Sequence, residues 1–344
     1  MWTHSQRRAG KDKLDRRCNR LDWSLEGLKV DDASQTCRKI IGQVKRVIVG
    51  KDPVLEKVML ALLANSHILF EDYPGLAKTL LARSFAMSMG CYFSRIQFTP
   101  DLLPADITGT YVYNVKSGDF ELRKGPVFTN ILLADEINRA PPKTQAALLE
   151  AMQERQTTLD GKTHSLQNPF IVMATQNPIE YEGVYPLPEA QLDRFLVRLQ
   201  LGYPTRTDEM EIMRRRMIRG QEDVVLDPVV DSETILDLQK TVEGIHVDDD
   251  VLGYIADIVQ ATRAQRQIEI GASPRGSLAI FKLSRARAVF HGRDYVIPDD
   301  VKEIAAPALV HRLIMKTESW VKGTNPSQVL EDILKTIPVP RAKA

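Results

Sequence analysis

The chain has 344 residues, 43% of them hydrophobic, which is enough for two domains with ordinary buried cores. Its 46 Lys and Arg against 45 Asp and Glu leave a net charge of +1, so no global field draws it to nucleic acid or an acidic membrane. The 3 cysteines lack C-x-x-C spacing, no stretch approaches a membrane span, and the N-terminus lacks a signal peptide's apolar core, so a cytoplasmic protein is expected.

Residues 1–32 crowd Arg7, Arg8, Lys11, Lys13, Arg16, Arg17 and Arg20 among few apolar residues. They read as a disordered basic tail, with a polyanion-binding arm as the sharper alternative. An α/β core is expected over 33–204. It opens with an amphipathic helix over 33–49, closed by Gly50, and an apolar helix over 54–65 introduced by Asp52 and Pro53. An apolar strand at 67–70 then runs through Asp72 and Tyr73 into a turn at Pro74 and Gly75. After Leu76 and Ala77 a helix over 78–89 begins with Lys78, Thr79 and Leu80. This strand–turn–helix is the geometry of a phosphate-binding loop, in which backbone N–H groups face an anion, Lys adds charge and Thr offers a hydroxyl to Mg²⁺. The strict pattern G-x-x-x-x-G-K-[ST] has glycines where this chain has Asp72 and Ala77. Asp72 would put a carboxylate near the phosphates, and Ala77 narrows the backbone freedom that Gly provides. A strand over 92–98 completes a β-turn-α-β order that predicts a parallel sheet.

Residues 106–127 interrupt that alternation with a hairpin, its runs at 111–115 and 120–123 flanking 116–119. The strand at 129–134 then delivers Asp135 and Glu136 to its C-terminal edge. Loop and acidic pair together indicate nucleoside triphosphate hydrolysis, although the pair alone would also suit a helix N-terminus. In the catalytic reading Lys78 reaches the β- and γ-phosphates and Thr79 ligates Mg²⁺. Asp135 holds that ion through water, and Glu136 orients or deprotonates the attacking water. A helix over 142–155, a second hairpin over 157–166 turning at Asp160–Gly161, and a strand over 170–175 follow. Asn177 stands just beyond that strand. Its amide could contact the γ-phosphate or the water, while an isolated Asn-Pro simply marks a turn. Arg194 lies at the end of a short helix over 188–195, where it also complements the dipole. A strand over 196–201 ends the core. Helices at 208–219, 232–241, 249–265, 274–291 and 298–313, with one short strand at 295–297, predict an all-α domain over 205–316. Arg275 opens its longest helix, where a cation opposes the dipole, so an outside anion is the better explanation for it. The stretch 317–344 is expected to be a lightly structured tail.

GLAKT at 75–79, LLADEINRAPPKTQAALLEAMQE at 132–154, MATQNP at 173–178, YPLPEAQLDRF at 185–195 and SPRGSLAIFKLSRARA at 273–288 resemble the AAA+ ATPases of the MoxR group. The resemblance implies an α/β P-loop NTPase fold, a parallel-sheet sandwich forming the AAA+ core, followed by a small all-α lid, with ATP and Mg²⁺ as cofactors. It further implies that Val49 and Gly50 line the adenine pocket. Asn177 becomes the sensor-1 residue, Arg194 an arginine finger for the neighbouring subunit's nucleotide, and Arg275 the sensor-2 arginine. The two hairpins resemble the helix-2 and pre-sensor inserts of magnesium chelatase and replicative helicases. MoxR-type proteins resemble ring-forming chaperones, so a hexamer is expected. Its partners would be a protein with a von Willebrand A domain and a client enzyme being assembled or loaded with a metal cofactor. Two alternatives remain, an ATP-binding scaffold with little hydrolysis and a nucleic-acid motor. Against the motor, hairpin tips that pair Lys116 with Asp119 and Lys162 with Asp160 lack a basic, aromatic groove for a strand.

Overall fold

Short apolar strands alternate their side chains between two faces, and in this chain both faces are covered. The structure, a computed structural model, describes residues 27–178 and 184–340. Helices α1 (Val30–Lys45) and α2 (Asp52–Leu63) lead into β1 (Ile68–Glu71), α3 (Lys78–Ser88) and β2 (Phe93–Gln97). A short α4 (Pro104–Thr108) precedes the hairpin β3 (Gly109–Asn114) and β4 (Asp119–Lys124), then β5 (Ile131–Asp135) and α5 (Pro142–Glu154). The second hairpin, β6 (Gln156–Leu159) and β7 (Lys162–Ser165), precedes β8 (Ile171–Gln176), α6 (Glu189–Leu192) and β9 (Val197–Leu199). Five strands form one sheet in the order β2-β5-β8-β1-β9, every neighbouring pair parallel.

Ile68, Phe70, Ile131, Leu133, Ile171 and Met173 face the core shared with α1, α2 and α3. The intervening Leu69, Leu132, Ala134, Val172 and Ala174 face Leu148, Leu149 and Met152 of α5. Burial on both faces is why these strands read as continuous apolar runs. Those runs end together at the carboxyl edge, where Glu71, Asp135 and Gln176 are only partly buried. Ligands of open parallel sheets bind outside that edge.

After the sheet come helices α7 (Arg206–Arg219), α8 (Ser232–Glu243), α9 (Asp249–Ala264), α10 (Pro274–Phe290) and α11 (Pro298–Leu309). The apolar faces of α8 to α11 run on into the core beneath α1 and α2, whereas α7 buries none of its residues. Gln239 Nε2 donates to the Leu62 carbonyl at 2.9 Å and Ser34 Oγ to that of Phe290 at 2.7 Å, tying α8 and α10 to the first two helices. No helix among the described residues is long and apolar enough to cross a membrane.

Two expectations need correcting. The strand at 295–297 reduces to a single bridge between His246 and Tyr295, and the lid's strand pair is instead β10 (Ile268–Ile270) with β11 (Ile314–Met315). The stretch from 317, expected as a loose tail, forms α12 (Thr317–Val321) and α13 (Pro326–Thr336). Asn325 caps α13 by accepting from Ser327 N at 2.9 Å, and Val329, Leu330 and Ile333 are buried. The Asn-Pro start and the apolar stripe of Val329, Leu330 and Ile333 were legible in the sequence, and a helix this short then owes its stability to packing that stripe. Of the basic segment expected at 1–32, residues 1–26 lie outside the described residues. The second hairpin does turn at Asp160 and Gly161, with φ of +47° and +75°, the left-handed pair that an Asp-Gly turn provides.

Candidate functional site

At the carboxyl edge, β1 gives way to a loop whose Gly75 has φ +82° and whose Ala77 has φ +58°. The left-handed conformation costs an alanine roughly 1–2 kcal/mol relative to glycine, and the surrounding fold sustains that strain at Ala77. The first turn of α3 therefore opens onto the crevice with N–H groups that have no intrahelical partner. A cavity of about 470 Å³ is lined by Pro74 through Leu80, Asp135, Glu136, Thr175 and Asn177, together with Arg95 and Gln97. Lys78 Nζ donates to the carbonyls of Asp72 at 2.8 Å and Tyr73 at 3.2 Å. Burial lowers the pKa of Lys78, while the charges of Asp72, Asp135 and Glu136 pull it back up.

The acidic pair is held by the strands on either side of β5 and by the turn that follows it. Thr175 Oγ1 on β8 donates to Asp135 Oδ1 at 2.7 Å and accepts from Glu136 N at 2.8 Å. From β2, Arg95 reaches Asp135 Oδ2 at 2.7 Å and Gln97 Nε2 donates to Glu136 Oε2 at 2.6 Å. Arg139 Nε lies 3.0 Å from the same Glu136 oxygen. Glu136 itself sits at φ +55°, another left-handed position that aims its carboxylate into the cavity wall. Asn177 is buried at the same wall, its carbonyl 3.5 Å from Asn138 Nδ2. Sequence reasoning missed Arg95, Gln97 and Thr175. Arg95 and Gln97 flank Ile96 and so share one face of β2, but nothing local says that β2 pairs with β5, bringing Gln97 opposite Asp135.

The oxygen-only donors Thr79 and Asp135 fit a Mg²⁺ ion, which takes one or two protein oxygens and completes its shell with phosphates and water. No cluster of three His, Cys, Asp or Glu suited to a metal occurs among the described residues. Beside the loop, a second cavity of about 150 Å³ shares Gly75, Leu76, Ala77 and Leu80 and is walled by Val47, Ile48, Val49, Leu201 and Ile212. An apolar slot next to a phosphate cradle suits a planar base. Gly50 does not line it. Its φ of +68° turns the chain against Asp208, whose carboxylate lies 2.3 Å from where a Cβ would stand.

Asp72 departs most from expectation. Its carboxylate is buried and turned away from the loop, accepting from the backbone N–H of Leu201 and, at 3.2 Å, of Gly202. Two backbone donors left over beyond β9 hold the carboxylate, whose charge is still felt at Lys78. Tyr73 packs on Tyr203 with ring centroids 5.8 Å apart. Both residues shape the loop through backbone carbonyls and anchoring contacts, and neither lines the cavity.

Arg194 and Arg275 lie elsewhere. Arg194 precedes β9, and because β9 runs parallel to β1, the residue sits at the amino edge of the sheet. A strand of four residues, about 13 Å at the usual rise, separates that edge from the loop after Glu71. A cavity of about 380 Å³ there is lined by Arg194, Arg275, Lys282, Arg155, Arg312 and Asp193, among others. Arg194 Nε is buried without a hydrogen-bond partner among the described residues. The fold thus brings the two arginines to each other and away from Lys78.

Comparison with known proteins agrees with this geometry. Residues 67–197 match the ATPase family associated with various cellular activities (AAA), and residues 260–333 match the AAA lid domain. The chain is 46% identical to the uncharacterised protein YeaC of Bacillus subtilis over 90% of its own length and 97% of that protein's. It is 43% identical to the chaperone MoxR1 of Mycobacterium tuberculosis, covering 93% of this chain and 86% of that one. The chain is a MoxR-family AAA+ ATPase. A crystal structure of a Cytophaga hutchinsonii protein, 40% identical, superposes with a TM-score of 0.86 over 91% of this chain and 97% of the other.

Two buried histidines brace the amino edge of this MoxR-family ATPase. His67 binds the Met152 carbonyl at 3.0 Å through Nε2 and accepts from Val172 N at Nδ1. His311 Nε2 meets the Phe195 carbonyl, next to Arg194, at 3.1 Å. Burial pushes the pKa of each down to about 3, with the charges of Arg155 and Arg312 respectively adding to the effect. Between the unfolded value near 6.5 and about 3 the unfolded chain therefore binds more protons than the folded one. Their contribution to stability is complete above about pH 6.5 and is lost on acidification, at up to about 1.4 kcal/mol per pH unit for each. Urea denaturation at pH 7 and pH 5 should show a clear drop in midpoint, and replacing either histidine with glutamine should flatten it. An unchanged midpoint would show that neither ring stays neutral in the folded protein.

Proposed function

We propose that this ATPase works as a ring, hexameric by its resemblance to the family, in which each triphosphate is completed by the neighbouring subunit. One observation carries the reading: Arg194 and Arg275 share a cationic cavity at the edge of the sheet opposite Lys78 and Thr79. Cations placed there serve a nucleotide held by another protomer. Within one protomer, the loop from Pro74 to Leu80 cradles the phosphates, with Lys78 on the β- and γ-groups, while Val49 and its apolar neighbours hold the base. Thr79 and Asp135 hold Mg²⁺, which supplies charge neutralisation. Glu136 takes the proton of the attacking water, and Asn177 fixes that water or the γ-phosphate. In this reading residues 33–204 form the core that carries the loop and 205–316 the lid that carries Arg275.

The work done is chaperone-like remodelling of a client complex with a von Willebrand A partner, including loading of a metal cofactor. Support comes from the likeness to a chaperone and from the first hairpin, whose Val115 and Phe120 are 85% and 68% exposed. Apolar groups offered at a protruding tip suit contact with a protein chain. The test is concentration dependence. ATP turnover per protomer should climb by orders of magnitude as sedimentation shows rings assembling. Turnover per protomer that stays constant from monomer to ring would overturn the reading.

A further inference from the structure

The segment that carries Arg194 belongs to no regular element. Helix α6 ends at Leu192 and β9 begins at Val197. What holds the segment is the lid. Arg312, whose side chain is 3% exposed, donates through one terminal nitrogen to the carbonyl of Asp193 at 2.8 Å and forms a close ion pair with Asp193 Oδ1. Its other terminal nitrogen donates to the Phe195 carbonyl at 2.7 Å. Ser273 Oγ donates to Asp193 Oδ2 at 3.0 Å while accepting from Arg275 N at 3.1 Å, and the Arg275 guanidinium lies 3.6 Å from the same Asp193 oxygen. One carboxylate, 17% exposed, thus joins the start of α10, the turn after α11 and the chain on either side of Arg194.

We propose that Asp193 is a positioning residue for hydrolysis in the adjoining subunit, fastening Arg194 and Arg275 to each other so that the lid presents both as one rigid unit. The proposal rests on the ring reading above. Asp193 does not touch the nucleotide. It neutralises Arg312 and spends its second oxygen on Ser273 and Arg275, which leaves the guanidinium of Arg194 lining the cavity with no acidic partner among the described residues. A lid that rotates carries the Asp193–Phe195 segment with it through Arg312, so the nucleotide state that sets one subunit's lid also sets the rate next door. Arrangements of this kind are sensitive to small displacements, a misplacement of about 1 Å costing on the order of 10²-fold in rate.

The test uses full-length protein and mixed rings. Asp193→Asn keeps the oxygen acceptors and removes the charge. It should lower kcat by about 10²-fold with the KM for ATP unchanged, because its own phosphate loop is intact. Ser273→Ala loosens one arm without leaving Arg312 unpaired, and should lower kcat less and in the same direction. Mixed with Glu136→Gln subunits, whose arginines are intact but whose own sites are dead, Asp193→Asn should regain turnover well above either parent. The parallel mixture of Arg194→Ala with Glu136→Gln separates the two ideas. If that mixture gains nothing, the ring reading fails and takes this proposal with it. If it gains turnover while Asp193→Asn alone turns over like wild type, only the role of Asp193 is lost. A loss in Asp193→Asn that mixing does not restore would place the defect inside its own protomer and overturn the proposal.

Discussion

Arg194→Ala is expected to reduce ATP turnover by assembled rings about 10³–10⁵-fold while each protomer binds ATP almost as before. The asymmetry follows from where charge develops. In the proposed reading, ground-state affinity would come from the loop at Pro74–Leu80 and the apolar slot beside it, which belong to one protomer. In the ring proposed above, the arginine at the far edge of the sheet would act on negative charge that spreads over the transferring phosphoryl group only as the bond breaks. Lysine at 194 should recover a fraction of the rate, since it restores the charge without the planar fork that meets two oxygens at once. Steady-state turnover at saturating ATP, set beside nucleotide affinity by fluorescence, reads both quantities. Turnover near the wild-type rate would remove the arginine from the reaction.

Glu136→Gln should cost about 10²–10⁴-fold in turnover, again with ATP retained. The amide has the shape of the acid and keeps an oxygen that can accept from Gln97, which now donates to Glu136 Oε2 at 2.6 Å. The left-handed backbone at φ +55° is no worse for glutamine than for glutamate, so folding should be unaffected. What the substitution would remove, in the proposed mechanism, is the proton acceptor beside the attacking water. Single-turnover phosphate release distinguishes this from slow product departure, because only a chemical defect suppresses the first turnover. A variant that releases phosphate at the wild-type rate would take the base assignment away from this residue.

These expectations combine two kinds of information. Local pattern was sufficient for the apolar runs that became β1, β5 and β8, for the Lys78–Thr79 helix start, and for the Asp-Gly turn of the second hairpin. It also placed Asp135 and Glu136 at a strand end. Each of these depends on neighbours within a few residues, through side-chain alternation, capping or a turn's dihedral angles, so the chain carries it in plain view. The residues themselves offered Asn177, Arg194 and Arg275 as candidates, and the family motifs gave them roles, but neither gave them positions.

Position came only with the packed molecule. Asp72 looked like a phosphate-side acid until the leftover N–H groups of Leu201 and Gly202, 129 and 130 residues away, claimed it. Arg95 and Gln97 gained their contacts to the acidic pair from the strand order β2-β5-β8-β1-β9. The α13 helix exists as a packed element because lid helices cover Val329, Leu330 and Ile333. Above all, the parallel course of β9 beside β1 put Arg194 at the edge remote from Lys78, which turns a single-chain motif into an argument about two subunits. Short-range geometry is encoded by adjacent residues, whereas which distant groups meet is decided by how strands order and helices cover them, where burial leaves each polar group few partners to satisfy it.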